Sequence, residues 1–222
     1  MDLKERLDAF YREAVRLKSE GLLAESEHVE AQAAQFLEGL KAYAEERPED
    51  PQTATNLLFL AEREWPFLGD HARVQEKIER ALAIRQARFG PDDLAVAEAL
   101  CQLAEFHYLA GRLGEAEPLY RRAVVISERQ GSPPSAAGAK CQAGLAQCLA
   151  AFGRASEADP FFRKAIELTS RPEGDKHVLY FLCLSRAEGL EKLGRKDEAQ
   201  ALRQEANLLL PSANPGEQGF HV

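Results

Sequence analysis

A fixed spacing runs through this chain. The stretch Glu115-Ala116-Glu117-Pro118-Leu119-Tyr120-Arg121-Arg122-Ala123 returns as Glu157-Ala158-Asp159-Pro160-Phe161-Phe162-Arg163-Lys164-Ala165, 42 residues later. Glu198-Ala199 through Ala206 repeats the frame at a further 41, and Ala81-Leu82-Ala83-Ile84 answers Ala123-Val124-Val125-Ile126 at 42. Self-similarity at such a period means stacked copies of one small unit, none able to bury its apolar surface alone.

The glycines keep the same spacing. Gly69, Gly111, Gly153 and Gly194 follow one another at 42, 42 and 41 residues, each where one apolar pattern stops and another begins. A left-handed residue closing a helix has this position, and glycine takes that conformation without a Cβ clash. Asp50, Asp93, Ser135 and Asp175 each precede an apolar periodic run, with a proline shortly upstream. These side chains accept hydrogen bonds from the free amides of a first helical turn. Pro118 and Pro160 are expected in the first turn of the second helix, where the missing N–H costs little.

One unit therefore reads as capped helix A, glycine turn, helix B, short loop. In the clearest copy, helix A spans 94–110 and helix B 115–129. Helix B presents Ala116, Leu119, Tyr120, Ala123, Val124 and Ser127 on one face. The N-terminus fits as a weaker copy: with Gly21 set on Gly111, Ala14 falls on Ala104 and Ala33 on Ala123. Its helices are expected over 3–19 and 22–46. The organisation is a degenerate or capping hairpin over 1–50, four repeat hairpins over 51–210, and a flexible, turn-forming tail over 211–222. One use for that tail is that Phe220–Val222 docks on a groove.

Composition supports helices and narrows function. Leu, Ala, Glu, Arg and Gln dominate, all favourable in helices. The net charge is −8, with 7 Lys/Arg and 13 Asp/Glu in the first 50 residues. An acidic chain repels a phosphate backbone, which argues against a nucleic-acid partner. No apolar run has the length of a membrane span, and Met1-Asp2-Leu3-Lys4-Glu5-Arg6 lacks a signal-peptide core, so a cytoplasmic protein is expected. Cys101, Cys141, Cys148 and Cys183 form no CxxC pair and lie on apolar stripes, where thiols act as small hydrophobes.

Leu103-Ala104, Gly111, Ala116, Tyr120 and Ala123 together resemble a tetratricopeptide repeat. Leu145-Ala146, Gly153, Ala158, Phe162 and Ala165 match it again. The phrases at 81–85 and 116–123, with Phe89-Gly90-Pro91-Asp92, resemble the 42-residue kinesin-light-chain-like subclass. The resemblance covers about 53–210. It implies an all-α, right-handed α-solenoid of tandem hairpins, with helix A on the concave face and helix B on the convex one. Some residues depart from the pattern: Val74 replaces a small residue, Trp65-Pro66-Phe67 falls near the end of a helix A, and Arg186 and Arg203 stand at apolar positions. The two arginines suit a terminal repeat facing water. Trp65 is expected in the core.

The resemblance also implies that the concave face binds a peptide or protein. Read by repeat position, the groove-facing candidates are Glu98, Cys101, Gln102, Glu105 and Tyr108, then Lys140, Gly144, Gln147 and Ala151. Phe181, Leu184, Ser185, Glu188 and Lys192 follow in the last unit, and Asn56, Phe59 and Arg63 in the first full one. Some family members clamp a chaperone's C-terminal carboxylate with Lys and Asn at fixed groove positions. Cys101, Glu105 and Gln147 stand there, so no such clamp is expected. Trp65, Phe67 and Tyr108 are candidate aromatic anchors.

No phosphate-binding loop, HExxH pair or other catalytic constellation stands out, and no cofactor or metal is expected. His107 falls at a packing position. The reading is a non-catalytic interaction scaffold. The alternative is a regulatory or assembly protein that self-associates through the N-terminal hairpin or Leu208-Leu209-Leu210.

Overall fold

The computed structural model describes residues 3–64, 71–129, 136–170 and 175–209. Trp65, Phe67, Gly69, Ser135 and the tail from Leu210 lie outside them. The described residues form ten helices: α1 (Leu3–Ser19), α2 (Leu23–Glu46), α3 (Pro51–Glu64), α4 (His71–Phe89), α5 (Leu94–Leu109), α6 (Leu113–Arg129), α7 (Ala136–Ala151), α8 (Ala155–Thr169), α9 (Lys176–Lys192) and α10 (Lys196–Leu209). The chain divides into two compact units, residues 1–88 and 89–222.

The predicted turns are present and share one geometry. Gly21, Gly111, Gly153 and Gly194 have φ of 79°, 74°, 75° and 77°. The amide after each glycine donates five residues back: Arg112 to His107 O at 2.8 Å, Arg154 to Leu149 O at 2.9 Å and Arg195 to Leu190 O at 2.9 Å. That is the paired-bond ending in which a left-handed residue satisfies the last free carbonyls of a helix. The caps form as well. Asp93 Oδ1 accepts from the Ala95 amide at 2.8 Å, Asp175 Oδ1 from His177 at 2.8 Å, and Asp50 Oδ1 from Gln52 at 2.8 Å.

Two local expectations need correcting. Helix B starts earlier than expected, at Leu113 and Ala155. The turn arginine doubles as its cap, because Arg112 O accepts from Glu115 and Ala116. Pro118 and Pro160 therefore lie inside α6 and α8, past the first turn. Arg186 does not face water: its side chain is half-buried and its Nε donates to Asp159 Oδ1 at 2.7 Å. Arg203 is exposed and pairs with Glu191.

In residues 89–222, each hairpin packs its A helix on its B helix. Among the described residues, the A helices also pack on one another, α5 on α7 and α7 on α9, while the B helices make no comparable contact. The A helices thus form the tighter, inner layer. Small residues permit that approach: Ala97, Ala104, Ala116, Ala123, Ala146, Ala158, Ala165, Ala187 and Ala199 are all buried. Tyr120 and Phe162 are the large fillers between them.

A charged ladder ties successive hairpins along the turns. Arg154 reaches back to both oxygens of Glu117 at 2.9 Å and forward to Glu157 at 2.6 Å. One repeat later, Arg195 reaches back to Asp159 at 3.3 Å and forward to Glu198 at 2.6 Å. These are the same positions, 42 and 41 residues on.

In residues 1–88, α1 and α2 form the first hairpin, and α3 packs on α2. Leu7, Ala33, Leu40, Phe59 and Leu60 make one apolar cluster there. Ser26 Oγ donates to Ala14 O, and Arg80 donates to Ala44 O at 2.8 Å.

Candidate functional site

Helix periodicity decides which of the expected groove residues reach a common surface. Tyr108 on α5, Gln147 on α7, and Ser185 and Glu188 on α9 do so. With Ala150, Ala151 and Lys192 they line a cavity of about 350 Å³ on the inner layer of residues 89–222. Its floor comes from Ala155 and Phe162 of α8 and from Gly189 of α9. A cavity of this size, with an apolar floor and a few convergent polar groups, has the build of a binding site.

The electrostatics are mild. Glu188 and Lys192 pair across one turn at 3.1 Å, both largely exposed. Burial raises the Tyr108 phenol above its usual range, with a smaller push from Cys148, so Tyr108 stays a neutral hydroxyl. Gln147 and Ser185 supply amide and hydroxyl groups that donate and accept. Nothing here selects strongly for either sign of charge.

Other candidates take different positions. Lys140 and Glu105 pair with each other at 2.8 Å across α7 and α5, both half-exposed on the same layer. Gln102 is half-buried, and its Oε1 is shut from water without a hydrogen-bond partner. Glu98 is exposed. Phe181 is exposed and meets Tyr180 edge-on, with centroids 5.5 Å apart.

Three candidates are corrected to core positions. Cys101 is buried, on the apolar side of α5. Phe59 sits in the apolar cluster with Leu7 and Leu40. Asn56 is buried, its Oδ1 accepting from Gln52 Nε2 at 3.0 Å. On a helix a small error in register turns a side chain inward. Arg63 is committed to Asp8 at 2.7 Å and lies over the Phe59 ring at 5.7 Å.

Sequence reasoning missed Gly189. Five residues before Gly111, Gly153 and Gly194, the A helices carry Phe106, Cys148 and Gly189 in succession. Phe106 and Cys148 are buried plugs, 3% and 0% exposed. At Gly189 the plug is absent and the cavity opens. No steric demand explains the glycine: a Cβ there would meet only Ala155 Cβ, at an ordinary 3.9 Å. Glycine inside a helix costs about 1 kcal/mol against alanine. The signal was present in the sequence, as the break in that register series.

Among the described residues, no group of three or more His, Cys, Asp or Glu is placed to hold a metal, and no helix is long and apolar enough to cross a membrane. His107 is buried, and Arg112 Nε donates to its Nδ1 at 3.0 Å.

Comparison with known proteins agrees with this architecture. The sequence model of the tetratricopeptide repeat family matches residues 67–124 and 95–171. BtubC (BKLC) from P. vanneervenii superposes with a TM-score of 0.67 at 18% identity, over 100% of this chain and 97% of that one. The nearly identical TPR-like repeats of a kinesin light chain from Podosopora anserina give 0.59 at 19%, over 96% and 100%. YrrB, described as a TPR protein with an unusual peptide-binding site, gives 0.53 at 13%, over 92% and 86%. No curated protein matches in sequence.

Proposed function

The chain is a tetratricopeptide repeat protein with a kinesin-light-chain-like α-solenoid fold, and from that premise we propose that its inner layer holds a peptide or protein segment, as a non-catalytic scaffold. The observation that carries this is the convergence of Tyr108, Gln147, Ser185 and Glu188, from three successive A helices, on one cavity. Side chains that merely face water have no reason to share an apolar-floored hollow. Stacked repeats also offer the extended surface that such recognition uses. The described peptide site of YrrB lends the reading support by likeness of fold.

The test is to pan a displayed random peptide library on the whole chain and titrate the enriched peptides. The triple variant Gln102→Ala/Glu105→Ala/Gln147→Ala, shown to be folded by circular dichroism, is titrated beside it. Enrichment on the wild type with weakened binding to the variant is expected. Equal binding to both would move the site off the inner layer.

The self-association reading rests on a separate observation. Tyr11, Val15, Leu22 and Leu23 on the first hairpin, and Leu208 on α10, are exposed apolar residues. Molar mass in solution decides it, a concentration-independent monomer counting against it.

A further inference from the structure

Gly189 bears on what the cavity holds. Resting on the groove reading above, we propose that the hollow between α7 and α9 takes one uncharged apolar side chain, of leucine to phenylalanine size, from an amphipathic segment of another protein, and that Gly189 sets the size accepted.

Charge complementarity selects the class of side chain. No floor residue is charged: Phe162, Ala155 and Gly189 lie there, with Ala151 beside them. The charges at the mouth, Glu188 and Lys192, neutralise each other at 3.1 Å. An ionic side chain entering would lose its water and meet no free counter-charge. An apolar one would displace water from part of the hollow and gain contact with Phe162. Gln147, Ser185 and the neutral Tyr108 hydroxyl remain for the backbone of the bound segment.

The surroundings fit an amphipathic segment. Leu109, Phe152 and Leu193 are 55%, 42% and 39% exposed. Each follows a cavity-lining residue in sequence: Tyr108, Ala151 and Lys192. All three lie at the C-terminal ends of the A helices that line the cavity.

Gly189 is the residue that differs. In the two hairpins just before it, this register position is filled by Phe106 and Cys148, both buried. Its own Cβ direction leads toward Ala155, on the cavity floor. A large side chain at 189 would restore the plug and leave the rest of the inner layer in place.

The experiment uses the peptides enriched on the whole chain, synthesised and titrated by fluorescence anisotropy. They are expected to share one Leu, Ile, Met or Phe, whose replacement by Ala weakens binding roughly 10- to 100-fold. Gly189→Leu is expected to lose binding to the same extent, and Gly189→Ala to stay within about threefold of wild type. Ala151→Leu, at an exposed position on the same cavity, serves as the second blocking variant, and the anchor-substituted peptides need no protein variant at all. If peptides bind and are weakened by Glu105→Ala/Gln147→Ala but indifferent to Gly189→Leu and to the loss of any apolar residue, the groove reading stands and the anchor falls. If no peptide is enriched, both fall. If the wild type dimerises and Gly189→Leu does not, the occupant is a second copy and the proposal is wrong.

Discussion

The ring of Tyr120 packs against Gly144, so close that a Cβ on residue 144 would stand 2.5 Å from Cζ and 2.9 Å from Oη. Helix α6 of one hairpin and α7 of the next meet there through the Tyr120 ring. Tyr120 is 3% exposed, so its ring has nowhere to swing.

Gly144→Ala is therefore expected to destabilise the protein by about 1–3 kcal/mol, although alanine is the better helix former. Gly189→Ala should do the opposite and stabilise by roughly 0.5–1 kcal/mol, since its new methyl group meets only Ala155 at 3.9 Å. Urea unfolding of the two variants side by side checks both signs. If they shift in the same direction, the contact at Tyr120 is not as tight as described.

Asp159 should make stability depend on acid. Burial works to raise its pKa, but the bond from Arg186 and the charges of Arg186, Arg163 and Arg195 outweigh it and hold the carboxyl below its usual range. Glu117 is lowered in the same way, against burial, by Arg121 and Arg154. A depressed native pKa means that the unfolded chain takes up protons first as the pH falls. The contribution is thus complete at neutral pH and is lost as pH drops through and below the ordinary carboxylate range. Asp159→Asn should cost about 2–4 kcal/mol at pH 7, because it strands the half-buried Arg186, and should flatten the acid limb of a plot of Tm against pH. An unchanged acid limb in the variant would show that the ladder is not responsible.

Removing one cap tests the local reading of the helix starts. Asp93→Ala deprives the Ala95 amide of its acceptor at the head of α5 and should cost about 1 kcal/mol. Asp93→Ser should recover most of it. Thermal unfolding of both variants measures this, and equal losses in the two would mean that the side-chain oxygen is not what matters.

The four cysteines are free and buried. Burial, with Glu205 nearby, pushes the Cys183 thiol up to about 11, which at pH 7 leaves on the order of one thiolate in ten thousand. Native protein should resist alkylation at neutral pH and react at every thiol in denaturant, as counted by intact mass. Rapid modification of the folded protein would place at least one thiol at the surface.

An acidic peptide that copies a chaperone C-terminus should give no binding signal at micromolar concentrations. The groove offers it Glu105, already paired with Lys140, and the uncharged Gln147. A saturable calorimetric titration would overturn that.

What the sequence disclosed, and what it withheld, follows from the range of the forces involved. Gly111, Gly153, Asp93 and Asp175 act within a few residues of themselves, so their turns and caps could be read directly. The tetratricopeptide pattern fixed which helices pair, because it records the small residues at close approaches. The inward turn of Cys101, Phe59 and Asn56 depends on about a hundred degrees of helix rotation and on the neighbouring hairpin, and spacing alone did not resolve it. The ladder of Glu117 with Arg154 and Asp159 with Arg195 was visible as recurring charges. Single charges on helices ordinarily face water, and only the stacking of hairpins brings these together. Arg186, out of place in the pattern, was misread for the same reason: its partner lies on another helix, 27 residues away.

Position 189 has a use that the native chain does not exploit. The three A helices already display a graded series at this register, phenylalanine, cysteine and glycine, in one backbone environment. Residue 189 is therefore an adjustable aperture. Substituting Ala, Val, Leu or Phe there would yield a family of otherwise identical receptors, each matched to a cargo side chain smaller by the volume just added. Paired with correspondingly trimmed peptides, such receptors could be run together in one solution without cross-talk.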